Sequence, residues 1–332
     1  MIPMKKQFVN SFSRNGEAVE DNFAVKFKKP PVAYKGADKA GKWFELRLSD
    51  RTGEITAKYW GRNDQETERI YGSIEKGDVL HVKGIIQEYP PGTKSFSLSV
   101  DASKGELRKC EKGEYEPEDF VASSSKDTGK MLEELKRALS GIKNEHLRKL
   151  VNAFLDDSAF MDTFSRAPAA MEYHQNYIGG LLEHTNNMIR IINTLCDIHR
   201  ELDRDVCLAG TFLHDIGKTK ELGVSGGVID VTDEGMMIGH ITAGYEMLSK
   251  KIEQIPGFPH ELKLKMLHIM LSHHGKLEYG AVKQPQTPEA LAIYYADDAD
   301  AQVDLYLRLK REANTDDQWI WNKKINGHIY LK

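Results

Sequence analysis

The spacing of apolar residues changes once along the chain, and that change limits it to two kinds of domain. Over residues 17–110 the spacing is two. "KWFELRLSD" (42–50) alternates Trp43 or Phe44 with Leu46 and Leu48, then meets the turn Asp50-Arg51-Thr52-Gly53. "EITAKYW" (54–60) returns as the second arm of a hairpin. "GDVLHVKGIIQEYPPGTKSFSLSV" (77–100) gives further short strands separated by Gly84 and by a Pro-Pro-Gly turn at 90–92. Strands this short, with turns this frequent, predict a small β-barrel. From Gly129 onward the spacing is three and four: Leu132, Leu135, Leu139; then Leu147, Leu150, Val151, Phe154; then Ile178, Leu181, Leu182, Met188, Ile192. Further helices are predicted at 204–218, 236–254, 260–273 and 287–311. Between the two patterns, "EKGEYEPEDFVASSSKDT" is polar and rich in turn formers, which predicts a linker. The expected organisation is an N-terminal segment 1–16, a barrel domain 17–110, a linker 111–128 and a helical domain 129–332.

Composition narrows the class. The 332 residues are 40% hydrophobic and 29% charged, as in soluble globular proteins. No run of about 18 apolar residues exists, so no membrane partner is expected. The start, "MIPMKKQFVNSFSRNGE", lacks the apolar core of a signal peptide, and a cytoplasmic location is expected. The three cysteines form no CxxC and read as reduced. Residues 1–110 hold 20 Lys+Arg against 15 Asp+Glu, and the remainder 26 against 35, a mildly basic front and an acidic rear.

Nine of the twelve histidines lie between His174 and His274, which is the strongest chemical signal in the chain. Five pieces stand out: "GGLLEHT" with His184; "LHDIGK" with His214, Asp215 and Lys218; "IGHITAGYEML" with His240; "LSHHG" with His273 and His274; and "YYADDADAQVD" with Asp297, Asp298 and Asp300. A single histidine on such a helix is ordinarily a hydrogen-bonded, partly buried residue. Lys218 alone reads as a helix C-terminal cation, and the aspartates alone as a solvated face. The ordered set, placed inside apolar helices, does not reduce to those readings. Imidazole nitrogen with carboxylate oxygen suits Mn, Fe, Co, Ni or Zn, whereas an all-oxygen set would suit Mg or Ca. Two such ions sharing a carboxylate would activate water and neutralise a phosphate.

This set resembles the HD-domain metal-dependent phosphohydrolases, named for a pair such as His214-Asp215. "APAAMEYHQNYIGGLLEHT" (167–185), "TFLHDIGKTKEL" (211–222), "LSHHGKLEYGAVKQPQTPEALAIYYADDADA" (271–301) and "GHIYL" are similar to the YhaM-type 3′→5′ exoribonucleases. In that family an OB-fold nucleic-acid-binding domain precedes the HD domain, and "LSDRTGEITAKYW" and "GDVLHVKGIIQEY" are similar to its strands. The resemblance implies an α+β multidomain protein, an N-terminal OB-fold β-barrel followed by an all-α HD-domain helical bundle. It implies two divalent metal ions, manganese first among the candidates. His184, His214, Asp215 and Asp297 would hold one; His240 and His273 would hold the other, with Asp215 shared. His274 remains an alternative to His273, and Asp298 or Asp300 to Asp297. Asp215 and Lys218 are the catalytic candidates. Lys218 is i+3 from Asp215 and i+4 from His214, on one helical face, and would donate to a phosphate oxygen. Where the family carries His-His this chain has His174-Gln175, which leaves His174 as the nucleic-acid contact there.

The barrel supplies the other nucleic-acid candidates, Trp43, Lys58, Trp60 and Lys83, with Phe44, Tyr59, Lys42, Arg47 and Lys94 around them. Of the neighbours Trp43 and Phe44, one must face the core. The implied activity is removal of 3′-terminal nucleotides from single-stranded RNA, with single-stranded DNA as a second substrate. Two other readings stand beside it: an HD phosphohydrolase acting on free nucleotides, and a non-catalytic nucleic-acid-binding module. Trp319 and Trp321 in the tail fit packing within the chain or a homo-oligomer contact equally well.

Overall fold

The computed structural model describes residues 4–34, 41–93, 95–111, 113–171, 173–225, 228–313, 315 and 317–332, so Lys94 lies outside the described residues. The chain forms two compact units. One comprises Met1–Ser123 with Val224–Asp230, the other Ser124–Gly223 with Val231–Lys332.

The first unit is built from β1 (Ala18–Ala33), β2 (Lys42–Asp50), β3 (Gly53–Trp60), α1 (Asp64–Ser73), β4 (Val79–Glu88), β5 (Phe96–Asp101) and β6 (Glu106–Lys109). β1 is long enough to pair twice: Ala18–Ala24 lies antiparallel to β4, and Ala24–Ala33 antiparallel to β2. Register shifts between Val25 and Phe27 and between Lys29 and Val32 bend it between the two partners. The β2–β3 hairpin, a parallel β3–β5 pair and an antiparallel β5–β4 pair complete a closed barrel. Strand alternation sends Phe44, Leu46, Leu48, Ile55, Ala57 and Tyr59 inward and leaves Trp43 and Trp60 on the outer face. The Arg51-Thr52 turn closes because Asp50 Oδ1 accepts from the Thr52 N–H at 2.8 Å.

α1 interrupts a stretch expected to be wholly β. Its start is the side chain of Asn63 accepting from the Glu66 N–H at 2.8 Å, with Glu66 reaching back to Asn63. That Asn-x-x-Glu pattern is the available sequence signal. Within the segment read as a linker, Phe120 is buried with Ala24, Val79, Cys110 and Val228. Within 1–16, Phe12 enters the barrel core and Lys5 is buried between Asp21 and Asp50.

The second unit is helical: α2 (Thr128–Leu139), α3 (Glu145–Leu155), α4 (Ser158–Arg166), α5 (Gly180–Ile198), α6 (Arg204–Leu213), α7 (Lys218–Glu221), α8 (Asp233–Glu253), α9 (His260–Ser272) and α10 (Pro288–Glu312). The hairpin β7 (Leu222–Ser225)–β8 (Val228–Val231) follows α7, and β9 (Trp319–Asn322)–β10 (Gly327–Tyr330) follows α10. The predicted apolar rows meet in one core around Leu135, Leu150, Phe154, Leu182, Met188, Phe212 and Ile293. No helix among the described residues is long and apolar enough to cross a membrane.

Two helices depart from their apolar period. The helix expected at 204–218 stops at Leu213; residues 214–217 form a turn and α7 begins at Lys218. Close approach is the reason: a Cβ on Gly217 would sit 1.9 Å from the His240 carbonyl oxygen, so the turn lies directly on the backbone of α8. α8 in turn is kinked at Gly239, where φ is 68° and ψ is 163°, outside helical space and suited to glycine. Both breaks place histidines.

Candidate metal centre

His214 and Asp215 occupy the turn after α6, His184 lies in the first turns of α5, and His240 follows the Gly239 kink. His273 and His274 follow α9, and Asp297 and Asp300 lie one turn apart on α10. These segments converge. His184, His214 and Asp297 place one ligand atom each within 4.8 Å of one another, and His240, His273 and His274 do the same. Asp215 stands between the two sets. Its Oδ2 lies 3.2 Å from His214 Nε2, and its Oδ1 lies 3.4 Å from His273 Nε2 and 3.8 Å from His240 Nε2.

The other ring nitrogen of each histidine is committed. His214 Nδ1 donates to the Thr211 carbonyl (2.8 Å), His273 Nδ1 to Met270 (2.8 Å) and His274 Nδ1 to Tyr279 (2.9 Å). A carbonyl only accepts, so these Nδ1 atoms carry the hydrogen and the Nε2 lone pairs face the site. His184 Nδ1 pairs with Asp300 (2.7 Å) and His240 Nδ1 with Glu221 (2.8 Å). Such partners fix ring orientation and raise ligand basicity.

The donor set fits divalent cations. His184 Nε2, His214 Nε2, His273 Nε2 and Asp215 Oδ1 are buried without a hydrogen bond, and Asp215 Oδ2 has the Lys218 ammonium at 2.5 Å. Leaving a buried polar atom unsatisfied costs about 1–3 kcal/mol, more for a charged one, and four converge here. His240 Nε2 and His274 Nε2 approach to 3.2 Å while both Nδ1 atoms are engaged elsewhere. A cation among these atoms would satisfy all of them.

Electrostatics agree. Burial opposes the charge on Asp215, but Lys218 and His214 hold its carboxyl well below the usual range. Burial likewise opposes the Lys218 ammonium, and Asp215, 2.5 Å from its Nζ, outweighs it and raises the pKa. Burial pushes His273 down, and takes His274 to about 4 and His174 to about 3, so all three are neutral at pH 7. For His184 burial is overcome by Asp297 and Asp300, which raise it to about 9. The acidic partner nearest its Nε2 is Asp297 at 3.1 Å, and a cation between the two would take the place of that proton.

Beside the ligands opens a cavity of about 480 Å³, lined by His174, Lys218, His240, His274, Tyr279 and Tyr294 among others. The ring of His174 lies 4.8 Å from that of His184. Gln175 ties it in place. Its Nε2 donates to Asp300 (2.9 Å), a carboxylate that only accepts, so its Oε1 faces His174 Nδ1 (2.7 Å). Asp298 lines the cavity and belongs to neither ligand group; Asp300 serves the far side of His184.

The barrel candidates lie on the other unit. Trp43 and Trp60 stack at 5.4 Å, Tyr34 continues the row 6.1 Å from Trp60, and Lys58 lies 5.8 Å from the Trp43 ring. Lys83 is on β4, ion-paired with Glu20 at 2.9 Å. Sequence reasoning missed Glu221, Tyr34 and the structural use of Gln175. Glu221 stood inside "HDIGKTKEL", but no spacing rule joins it to His240.

Residues 181–302 match the HD domain family, and residues 27–107 match the OB-fold nucleic acid binding domain family. Proteins described as 3′-5′ exoribonuclease YhaM are similar over most of their length. The Bacillus velezensis protein is 31% identical over 298 residues, covering 87% of this chain and 86% of the relative. The Listeria innocua protein is 32% identical over 292 residues, with 87% of each chain covered. The Bacillus subtilis protein is 30% identical over 300 residues, again with 87% of each covered. On this evidence of both domains and of near full-length similarity, the chain belongs to the family of the YhaM 3′-5′ exoribonucleases.

Proposed function

We propose that this protein is a metal-dependent 3′→5′ exoribonuclease that hydrolyses the terminal phosphodiester of single-stranded RNA. The observation that carries the reading is Asp215: a buried carboxylate with one oxygen toward each histidine cluster, Oδ2 paired with the Lys218 ammonium that lines the neighbouring cavity. His184, His214 and Asp297 would hold one divalent ion, His240, His273 and His274 the other, with Asp215 shared; manganese is the first candidate. The ions would supply charge neutralisation at the phosphate and activation of a water.

The chain's own groups do the rest. Lys218, kept an ammonium by Asp215, faces the cavity and donates to a non-bridging phosphate oxygen. His174, neutral and with its Nδ1 hydrogen spent on Gln175, offers an Nε2 acceptor to a sugar hydroxyl. The stacked Trp43 and Trp60 on the barrel, with Lys58 beside them, take bases and phosphates of the strand. Stacking and phosphate contacts are indifferent to the 2′-hydroxyl, which makes single-stranded DNA a second substrate.

The test is a metal-stripped preparation given 5′-labelled single-stranded RNA, with and without Mn²⁺. A ladder shortening from the 3′ end only with metal is expected. Intact RNA alongside dephosphorylated free nucleotides would reject the reading in favour of a nucleotide phosphohydrolase.

Two further outcomes follow. Mn²⁺ binds the folded site alone, so at a hundredfold over its dissociation constant it stabilises by about 2.7 kcal/mol. For a unit of this size that raises the melting temperature by about 5–10 °C. Differential scanning fluorimetry reads this without substrate, and an unshifted melt would remove the metal site. Gln175→Ala frees His174 and Asp300 at once; kcat/KM on RNA should fall about 10–100-fold, the usual size for losing such an orienting partner. Parent-like kinetics would show that the Gln175 bridge is idle.

A further inference from the structure

The chain ends in a feature that neither the metal centre nor the barrel uses. β9 and β10 pair Trp319 with Tyr330, Ile320 with Ile329, and Trp321 with His328. Ile320 and Ile329 turn inward and join Leu305 and Leu309 of α10 in a small apolar cluster of their own. The outer face therefore carries Trp319, Trp321, His328 and Tyr330 together. Trp319 is 58% exposed, Trp321 56% and Tyr330 47%, although the hairpin is anchored from beneath. The Trp319 and Tyr330 rings lie 5.0 Å apart.

Charge says what such a face suits. Residues 319–332 contain Lys323, Lys324 and Lys332 and no Asp or Glu, in the half of the chain that is otherwise acidic. Exposed aromatic rings on a lysine-bearing segment suit stacked bases and phosphates. The position agrees with the charge. Lys324, in the turn of the hairpin, lies 5.8 Å from the ring centre of Tyr173, and Tyr173 lines the cavity of the metal centre. Tyr173 is itself 55% exposed, and its carbonyl accepts from Arg308 at 2.6 Å. Along β9, Trp321 is the tryptophan nearer the turn that carries Lys324, and Trp319 the farther one. The two tryptophans are two residues apart along a strand, about 7 Å.

We infer that the C-terminal hairpin is a second single-strand nucleic-acid site, on which the bases 5′ of the nucleotide in the cavity stack against Trp321 and Trp319. This rests on the exoribonuclease reading for the direction of the strand. It adds a strand-binding surface within the helical unit, separate from the barrel.

The experiment compares the full chain with Trp319→Ala/Trp321→Ala and with Trp319→Phe/Trp321→Phe. Both pairs are solvent-facing and leave Ile320 and Ile329 in place. Binding of a fluorescein-labelled 20-nucleotide single-stranded RNA is read by anisotropy in EDTA, so no turnover is needed. The alanine pair should weaken the dissociation constant at least tenfold, the phenylalanine pair by less than threefold, and hydrolysis of a dinucleotide with Mn²⁺ should not change. A dissociation constant for the alanine pair within twofold of the parent overturns the inference. So does an alanine pair that changes the mass of the particle in solution while binding RNA as before, since the face would then join copies of the chain. Failure of the parent to shorten RNA with metal would instead refute the exoribonuclease reading, and the anisotropy comparison would still decide the hairpin.

Discussion

Asp215→Ala is expected to remove nearly all hydrolysis of RNA, about a thousandfold or more in kcat, an effect typical of a group whose partners act as one unit. The size follows from where its two oxygens sit. One faces His214 and Lys218, the other His273 and His240, so a single truncation takes a ligand from both clusters. It also leaves the Lys218 ammonium buried without its counter-charge. Breaking a buried pair from one side costs about 3–5 kcal/mol; here part of that is recovered, because Lys218 borders the cavity and turns toward solvent. Asp215→Asn separates the two effects. It keeps the shape and removes the charge, so the metal content measured by mass spectrometry should fall while the apo-protein melts within a few degrees of the parent. Two bound ions per chain in Asp215→Asn would show that the aspartate is not shared.

Gly217→Ala is the second large effect, and it acts on the fold rather than on a ligand. A Cβ there would meet the His240 carbonyl oxygen at 1.9 Å and the Gly244 nitrogen at 2.7 Å, and neither backbone can swing aside. The turn carrying Asp215 must then lift off α8 by an ångström or more. Stability should drop by about 4 kcal/mol, the range reached only by severe strain or cavities. Activity should drop about a hundredfold in the surviving folded fraction, because catalytic groups tolerate little misplacement. Gly210→Ala is the comparison. Its Cβ would meet the tips of Ile293 and Ile269, which are side-chain atoms that can rotate, so a cost of about 1–3 kcal/mol with near-normal activity is expected. Urea titration with single-turnover assays reads both variants. A Gly217→Ala protein as stable and as fast as the parent would contradict the close approach described here.

The proposed ligand residues stood out in the sequence because they are expensive. His184, His214 and Asp215 interrupt apolar helices, and such interruptions need partners. The strands of the barrel were legible through alternation, which sets Trp43 and Phe44 on opposite faces; the structure turns Phe44 inward. The breaks were not. Residues 204–218 keep a helical period through His214, and only the approach of α8 at Gly217 explains the turn. Glu221 and Asp300 hold the far nitrogens of His240 and His184, a job set by tertiary distance that leaves no local pattern. Phe120 reads as a stray aromatic in a polar linker until Ala24, Val79 and Val228 surround it. The tail showed its aromatics plainly, but only the pairing of β9 with β10 puts both tryptophans on one side.

The double pairing of β1 has a consequence for how the barrel can meet other chains. Because β1 binds β4 with one half and β2 with the other, the five strands close on themselves, and β6, paired with β4, is four residues long. An unpaired edge is a template for strand addition and for aggregation. Closure engages most of the main-chain donors and acceptors of these strands with one another. A ligand on the barrel's outer face therefore meets side chains such as Trp43, Lys58 and Trp60 before it meets main chain.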